Sequence, residues 1–558
     1  MSGELRVRRA TVAAAIALTA LTAACAAAPG GAGIAPSASG GVNEDRVVLT
    51  AFDVITGVAA SRHMVYIAGE WGIAAFDRDF ERWLPPVALE RSYGVMRRTV
   101  IAADPVEEGA WIASGGTLLY YRSAMRDVVR STVPGEVYDI YFDVRDPSVG
   151  AYLRTSSGWM AATRTGLVSP VGASRVPSSA TEGSSSLGAI YSAYPSLRGA
   201  LPLLTRDAEL RSWSVLSGAK SPDRDEVWLG TAGGGLFRVD PLFMKSDQIP
   251  FGPLQTEIDA LARDSAGVWM AGTNVGGGIA RAGLAHTSAD LQRWSWLSSP
   301  AIERALAGAR VLAASGRGDR IWVASDRGVV AIDASRPESA LRWSATDGLP
   351  GDRANDVAAS DAGAWVAADG GLAFISSDAS GSAARTERVH ATSGAAVRAY
   401  SLLLSGDTLW VGSAAGLFLV RGASPDSLPR RVNVGGAARL ERPVYALAAS
   451  DSLVAAATDR ELLVIDVRAA ALVSRFDVVN IAPISPVAAI AMDRNTIWLA
   501  GAGGVLVVTR STGAARLIAA PGAIPAEARD IVLDGDFAWV ATARGVVRLR
   551  RASDGGVR

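Results

Sequence analysis

Short apolar bursts of about five residues recur along most of the chain, each closed by glycine or by an aspartate-bearing turn; Glu226-Val-Trp-Leu-Gly230 and Thr408-Leu-Trp-Val-Gly412 are typical. They have strand length and carry apolar groups on both alternate faces, so the pattern predicts strands covered on both sides. Beyond the first 25 residues no apolar run approaches the roughly 18 to 20 residues a membrane-spanning helix needs.

The bursts repeat. An apolar strand ends in Trp-x-Ala/Gly-Ser/Thr, glycines follow, and a second apolar strand comes next, as in Val227-Trp-Leu-Gly-Thr231 leading to Gly235-Leu-Phe-Arg-Val-Asp240. Other copies centre on Trp111, Trp269, Trp322, Trp365, Trp410, Trp498 and Trp539, and weaker ones put Tyr66, Tyr152 or Val454 at the anchor. From residue 322 onwards the anchors are 41 to 45 residues apart. Upstream of each anchor lies another short strand, joined to it by turns such as Asp361-Ala-Gly363 or Asp534-Gly-Asp536, whose residues tolerate the positive φ of tight hairpins. A unit of this length with about four antiparallel strands is one propeller blade, and the expected fold is an all-β β-propeller of about eleven repeats.

The spacing breaks twice. Seventy-six residues separate Tyr152 from Trp228, which predicts a degenerate blade or an insertion over about 170–213 and brings the count to about twelve units. Fifty-three residues, including Trp294 and Trp296, separate Trp269 from Trp322. The favoured organisation is therefore two tandem six-bladed propellers of four-stranded blades, over 46–300 and 301–558; one large ring or a five-plus-seven split is the alternative.

The stretch Gly348-Leu-Pro-Gly-Asp-Arg-Ala-Asn-Asp-Val357 through Gly363-Ala-Trp-Val-Ala-Ala-Asp-Gly-Gly-Leu372 resembles the two-component-regulator propeller repeat, with its Gly-Leu-Pro, Asp-x-x-Gly, Trp-x-Gly-Thr and Gly-Leu signatures. The resemblance covers roughly 46–550 and implies an extracytoplasmic, sensor-type propeller. No kinase pattern follows the last repeat, so a freestanding sensor is expected to need a partner to relay a signal.

At the N-terminus Arg6, Arg8 and Arg9 precede the weakly apolar Ala10–Ala24, a signal-peptide pattern over 1–25. It ends Leu21-Thr-Ala-Ala-Cys25, similar to the lipobox of bacterial lipoproteins, and makes Cys25 the expected lipid-attachment site. Residues 26–45, almost all Ala, Gly, Ser and Pro up to Val42, predict a flexible tether. The expected location is the bacterial cell envelope, lipid-anchored on the extracytoplasmic side, in the outer membrane facing the periplasm or the cell surface.

Charge and chemistry narrow the function classes. Fifty-five acids balance 55 bases, so no net field favours nucleic acid. The single cysteine excludes an intrachain disulfide or thiolate cluster, and His63, His286 and His390 stand alone, without metal-ligand spacing. No phosphate loop, nucleophile elbow or dinucleotide fingerprint occurs, and the expectation is no metal and no cofactor. In a propeller the turns between second and third strands share one face with the segments entering the innermost strands. These carry Asp326, Arg327, Asp369, Asp459, Arg460 and Arg544, and Asp356, Arg398, Tyr445, Arg529 and Asp530 respectively, the candidate ligand-binding residues. Between Ser184 and Trp213 apolar residues recur at three and four, predicting short helical pieces limited by Pro195 and Pro202. Either these pack as a plug, or Tyr191, Tyr194, Leu197 and Leu201 form a docking surface for a partner protein.

The function expected from the sequence is a non-catalytic, membrane-tethered ligand-binding or scaffold propeller. The alternatives are a propeller hydrolase or lyase acting on a glycan or lactone in a central funnel, and an accessory of outer-membrane protein assembly.

Overall fold

One repeat shows how all of them fold. Strands Val311–Arg317, Arg320–Ser325, Gly328–Asp333 and Leu341–Trp343 form an antiparallel meander. Its first hairpin turns on Gly318, at φ +58. Its second is closed by the Ser325 hydroxyl, which donates to the Gly328 carbonyl at 2.9 Å. Thr231, Ser413 and Thr542 make the same bond to Gly235, Gly416 and Gly545, at 2.8 to 2.9 Å, so in these repeats the Ser/Thr that ends the anchor motif is the clamp of this turn. Gly328 follows at φ +113, and a Cβ there would lie 1.9 Å from the Trp343 carbonyl oxygen, so only glycine admits the outer strand.

The computed structural model describes residues 45–89, 99–146, 148–273, 282–376, 385–389, 397–424, 426–432, 441–469, 471–477 and 482–552. Among them are eleven antiparallel sheets of four or five strands, numbered here as blades 1 to 11. They span 55–88, 100–132, 137–182, 215–249, 258–297, 311–343, 354–389, 399–431, 446–477, 487–519 and 528–550. The anchor rings are buried in the aliphatic cores between neighbouring blades. Trp111, Trp228, Trp322, Trp365, Trp498 and Trp539 are all but inaccessible, and Tyr66 and Val454 are equally buried where they replace tryptophan. Several indole N–H groups are satisfied from the first hairpin: Trp111 donates to Asp104 at 3.0 Å and Trp269 to Asp264 at 2.6 Å.

Blades 5 to 11 form a closed circuit. Each innermost strand lies beside the next, from Ile258–Arg263 through to Ala528–Asp534, which returns to Ile258–Arg263. Blade 11 has only three strands of its own. Its fourth is Arg46–Leu49, from the start of the described residues, paired antiparallel with Gly545–Arg550. Blades 1 to 4 make a separate row in the order 4, 1, 2, 3, with Val215–Lys220 beside Ile55–Ala60, then Val100–Ala103, then Val137–Phe142. They are thus inserted between the first strand of the ring and its second.

This differs from the expected two sixes meeting near 300, and both spacing breaks have another cause. The 152–228 interval holds no twelfth blade; it contains helices α1 (Leu187–Ala193) and α2 (Leu197–Leu204). The 269–322 interval is lengthened by α3 (Pro300–Leu306), whose Ile302, Ala305 and Leu306 pack into the core shared by blades 5 and 6. Residue 300 therefore lies inside the ring. Trp294 and Trp296 belong to the outer strand of blade 5 and cover the two segments that join row to ring, 50–54 and 250–257. There Phe251 meets Phe52, Trp83 and Trp294 at centroid distances of 5.2, 4.1 and 5.4 Å, and the Trp296 indole donates to the Gly252 carbonyl at 2.8 Å.

The segment 181–213 behaves as the plug. Thr181–Glu182 adds to the inner edge of blade 3, the Ile140 amide donates to the Ser184 hydroxyl at 2.7 Å, and α1 lies against the inner strand of blade 4. Leu197 and Leu201 are buried with Ile190, Leu204, Trp213 and Phe237, so neither offers a side chain to a partner. Tyr191 and Tyr194 pack at the edge of this cluster, and the Tyr194 hydroxyl donates to Asp225 at 2.6 Å. That bond, with partial burial, pushes the Tyr194 pKa up to about 12. Arg211 reaches out of the segment to Glu303 on α3, tying row to ring.

Candidate functional site at the mouth of the ring

The innermost strands of the ring share an irregularity. Six of them carry a β-bulge at their second residue: Asp259, Leu312, Asn355, Tyr400, Ala488 and Arg529. Tyr445 takes the same place in blade 9, its amide donating to the Ala457 carbonyl that already faces Ala446. A bulge leaves one residue outside the ladder and re-aims its side chain. In this ring the bulges lie at the end where the second-to-third-strand turns also lie, and those at Asn355, Tyr400 and Arg529 send their side chains to the next blade.

Around that mouth the groups cluster in sectors. Between blades 7 and 8, the Asn355 amide donates to Asp369 at 3.0 Å and to the Ala399 carbonyl at 2.8 Å, and Arg398 donates to the other Asp369 oxygen at 2.9 Å. Between blades 8 and 9, the Tyr400 and Tyr445 rings lie 4.9 Å apart. Tyr445 is 39% exposed, and burial of its hydroxyl, with Tyr400 and Asp459 nearby, raises its pKa. Between blades 11 and 5, Arg529 donates to Asp259 at 2.8 Å and Glu257 at 2.9 Å. Burial opposes its charge, but these carboxylates and Glu527 outweigh that and raise its pKa.

The sequence candidates divide on this map. Asp369, Arg398, Tyr445 and Arg529 are brought to the mouth with the partners just named. Asp459 and Arg460 project from the blade 9 turn, 3.8 Å apart and more than half exposed. Asp326 accepts from the Arg310 amide at 2.8 Å and Arg327 donates to the Ala307 carbonyl at 3.3 Å, so both brace the entry to blade 6. The Arg544 amide donates to the clamp hydroxyl of Thr542 at 3.0 Å. Asp356 and Asp530 lie one residue deeper, on the channel wall. Each accepts two backbone amides at 2.7 Å, from Val357 and Leu402 and from Ile531 and Leu261, and so stitches one inner strand to the next blade's. Desolvation raises their pKa values to about 7 and about 6 despite those bonds, and Asp530 adds repulsion to Asp356.

Tyr400, Asn355, Asp259 and Glu257 escaped the sequence reading. The signal was present: Asn355 and Tyr400 stand at the same register as Tyr445 and Arg529, but the bulge that aims them becomes visible only with the strand pairing. Cys25 and His390 lie outside the described residues. His63 sits in a hairpin at the far end of blade 1, 2.6 Å from Asp79, and His286 lies within blade 5 against Trp269. Among the described residues no group of three or more His, Cys, Asp or Glu could hold a metal, and no helix is long and apolar enough to cross a membrane.

No protein-family model matches the chain, and no curated protein matches it in sequence. Solved structures do. PorZ, an essential bacterial surface component of the type-IX secretion system of Porphyromonas gingivalis, is similar at 13% identity and TM-score 0.49, over 91% of this chain and 87% of that one. The extracellular domain of the putative one component system BT4673 from B. thetaiotaomicron is similar at 14% identity and TM-score 0.39, over 89% of this chain. The chain spans 63% of that structure's length. The WD40 β-propeller domain of Doa1 is similar at 10% identity and TM-score 0.36, over 53% of this chain. The strand order itself establishes the class: four-stranded meanders with their inner strands side by side around a closed circuit make this a β-propeller protein.

Proposed function

We propose that the chain is a non-catalytic binding or scaffold protein of the bacterial cell envelope, tethered through a lipid at Cys25, which takes its ligand at the mouth of the seven-bladed ring. The observation that carries this reading is the convergence of Tyr400, Tyr445, Arg398, Asp369 and Asp459 on adjoining blades: flat apolar faces beside fixed charges of both signs, on a rigid scaffold. The anchor rests on the N-terminal sequence. Cys25→Ser is expected to release the protein from membranes and abolish fatty-acid labelling.

A photo-crosslinking residue at Ala488, on the same mouth and exposed, tests the binding reading in intact cells. A discrete crosslinked species that disappears with Tyr445→Ala and Arg398→Ala supports it. If that species is an envelope protein, the role as an accessory of outer-membrane assembly gains. One observation favours the enzymatic alternative: the raised pKa values of Asp356 and Asp530 are of the kind a general acid needs. Their pairing with two amides each speaks for a structural role. Turnover of a glycan or lactone by the purified protein, lost on neutralising Asp326, Asp356 or Asp369, would overturn the non-catalytic reading.

A further inference from the structure

In a four-stranded meander the first and third turns lie at the end opposite the ring's binding mouth. In blades 1 to 4, whose inner strands lie side by side, these turns share one face, and ion pairs link those of blades 1 and 4 and those of blades 2 and 3. Arg78, in the third turn of blade 1, bonds Asp223 and Glu226 in the first turn of blade 4 at 2.9 Å, and Arg164, in blade 3, bonds Asp104 of blade 2 at 2.8 Å.

That face is studded with large apolar side chains. Phe80, Val106, Met125, Val144, Leu167, Leu242 and Phe243 are all about half to three-quarters exposed at the tips. They are held there. Asp77 accepts from the Phe80 amide at 3.1 Å and Asp240 from the Phe243 amide at 3.0 Å, placing the two phenylalanines at equivalent positions of neighbouring turns, and Arg238, on the strand that leads into the second turn, bonds Glu81 in the first at 2.7 Å. The ring does not share the feature. Among its described first and third turns, Leu428 and Val467 are the large apolar residues exposed, and Leu291 is turned inward. An exposed apolar face confined to one module marks an interaction surface.

Its charge says what fits. The eight turns 61–63, 78–81, 104–108, 123–126, 143–150, 163–167, 221–226 and 241–244 hold ten carboxylates against six arginines, in a chain whose total is balanced. Such a rim repels an anionic lipid surface and a second copy of itself face to face, and attracts a basic one. We propose that this face of blades 1 to 4 docks a partner protein through apolar side chains set among lysines and arginines. It is a surface separate from the ring mouth and independent of what binds there.

The test uses the intact chain and two synthetic amphipathic helices, one of leucine and lysine and its leucine and glutamate counterpart, with zwitterionic and anionic vesicles as further probes. The leucine–lysine helix is expected to bind, more weakly as salt rises. Its affinity should fall by roughly tenfold or more in the double variant Phe80→Ser with Phe243→Ser, and stay unchanged in Leu428→Ser. Because both phenylalanines are exposed, the double variant should keep the parent's melting temperature, which separates lost docking from lost folding. Equal binding of the two helices, binding that survives the double variant, or a double variant that changes only vesicle binding or self-association would each overturn the proposal.

Discussion

Leu49, in the first described strand, lies directly opposite Val546, four residues from the end of the last described one. Both are fully buried, in a cluster with Val47, Trp539 and Ala541. The ring is closed by this pairing, so truncating it should be costly: Leu49→Ala is expected to lower stability by about 2 to 5 kcal/mol, read from chemical denaturation. A loss below about 1 kcal/mol would mean that the strand is not what holds blade 11 shut.

Two glycines of one blade should respond differently to the same change. Gly318 and Gly328 both have positive φ, but a Cβ on Gly318 meets nothing within 4 Å, whereas on Gly328 it lies 1.9 Å from the Trp343 carbonyl. Gly318→Ala should cost about 1 kcal/mol, the left-handed backbone alone. Gly328→Ala must also move the outer strand, and should cost at least twice as much. Equal melting temperatures for the two variants would contradict this.

Arg78 is 1% exposed and also donates to the carbonyls of Ser61 and Arg62, at 2.8 and 2.7 Å. Removing it takes the buried cation from Asp223 and Glu226, which keep Arg224 and the Ser221 and Trp228 donors respectively, so Arg78→Ala should destabilise the row of blades 1 to 4 by about 3 kcal/mol. Arg78→Lys keeps the charge but not the fork that reaches four acceptors, and should fall between. Urea titration of the three proteins orders them.

The channel carboxylates give stability a pH dependence of definite sign. The Asp356 pKa rises from 3.8 to about 7 because burial disfavours the charged form, so the folded state holds its proton more tightly than the unfolded chain does. Its contribution is full below about pH 4 and is lost as pH rises through 7. Melting temperature should therefore fall between about pH 4 and 7, and Asp356→Asn, which cannot ionise, should flatten that slope while losing part of the amide pairing. A steeper slope in the variant would reverse the assignment.

The blade was readable because its determinants are local: the anchor tryptophan, the Ser/Thr clamp such as Ser325, the Asp-bearing hairpin and the glycine after it lie within about twenty residues. Closure was not readable, because Arg46–Leu49 pairs with a strand some 500 residues away and nothing local marks an orphan edge. For the same reason the spacing alone reads α3 as a boundary and α1 and α2 as a possible blade, although the helical period of 187–204 is visible. At the mouth, the charged turn residues stood out, whereas Asn355 and Tyr400 took their role from a bulge that depends on pairing.

The way the ring closes also sets an order in time. Blades 1 to 4 are complete once residue 249 has been made, but Arg46–Leu49 waits for the last blade. At ordinary rates of synthesis that delay is on the order of half a minute to a minute and a half. Until then a short strand bearing Val47 and Leu49 lacks its partner strand, the condition under which sheet edges find the wrong partner. Its brevity, four residues with an arginine at its head, limits that hazard, and the first strand to be made is the last to find its place.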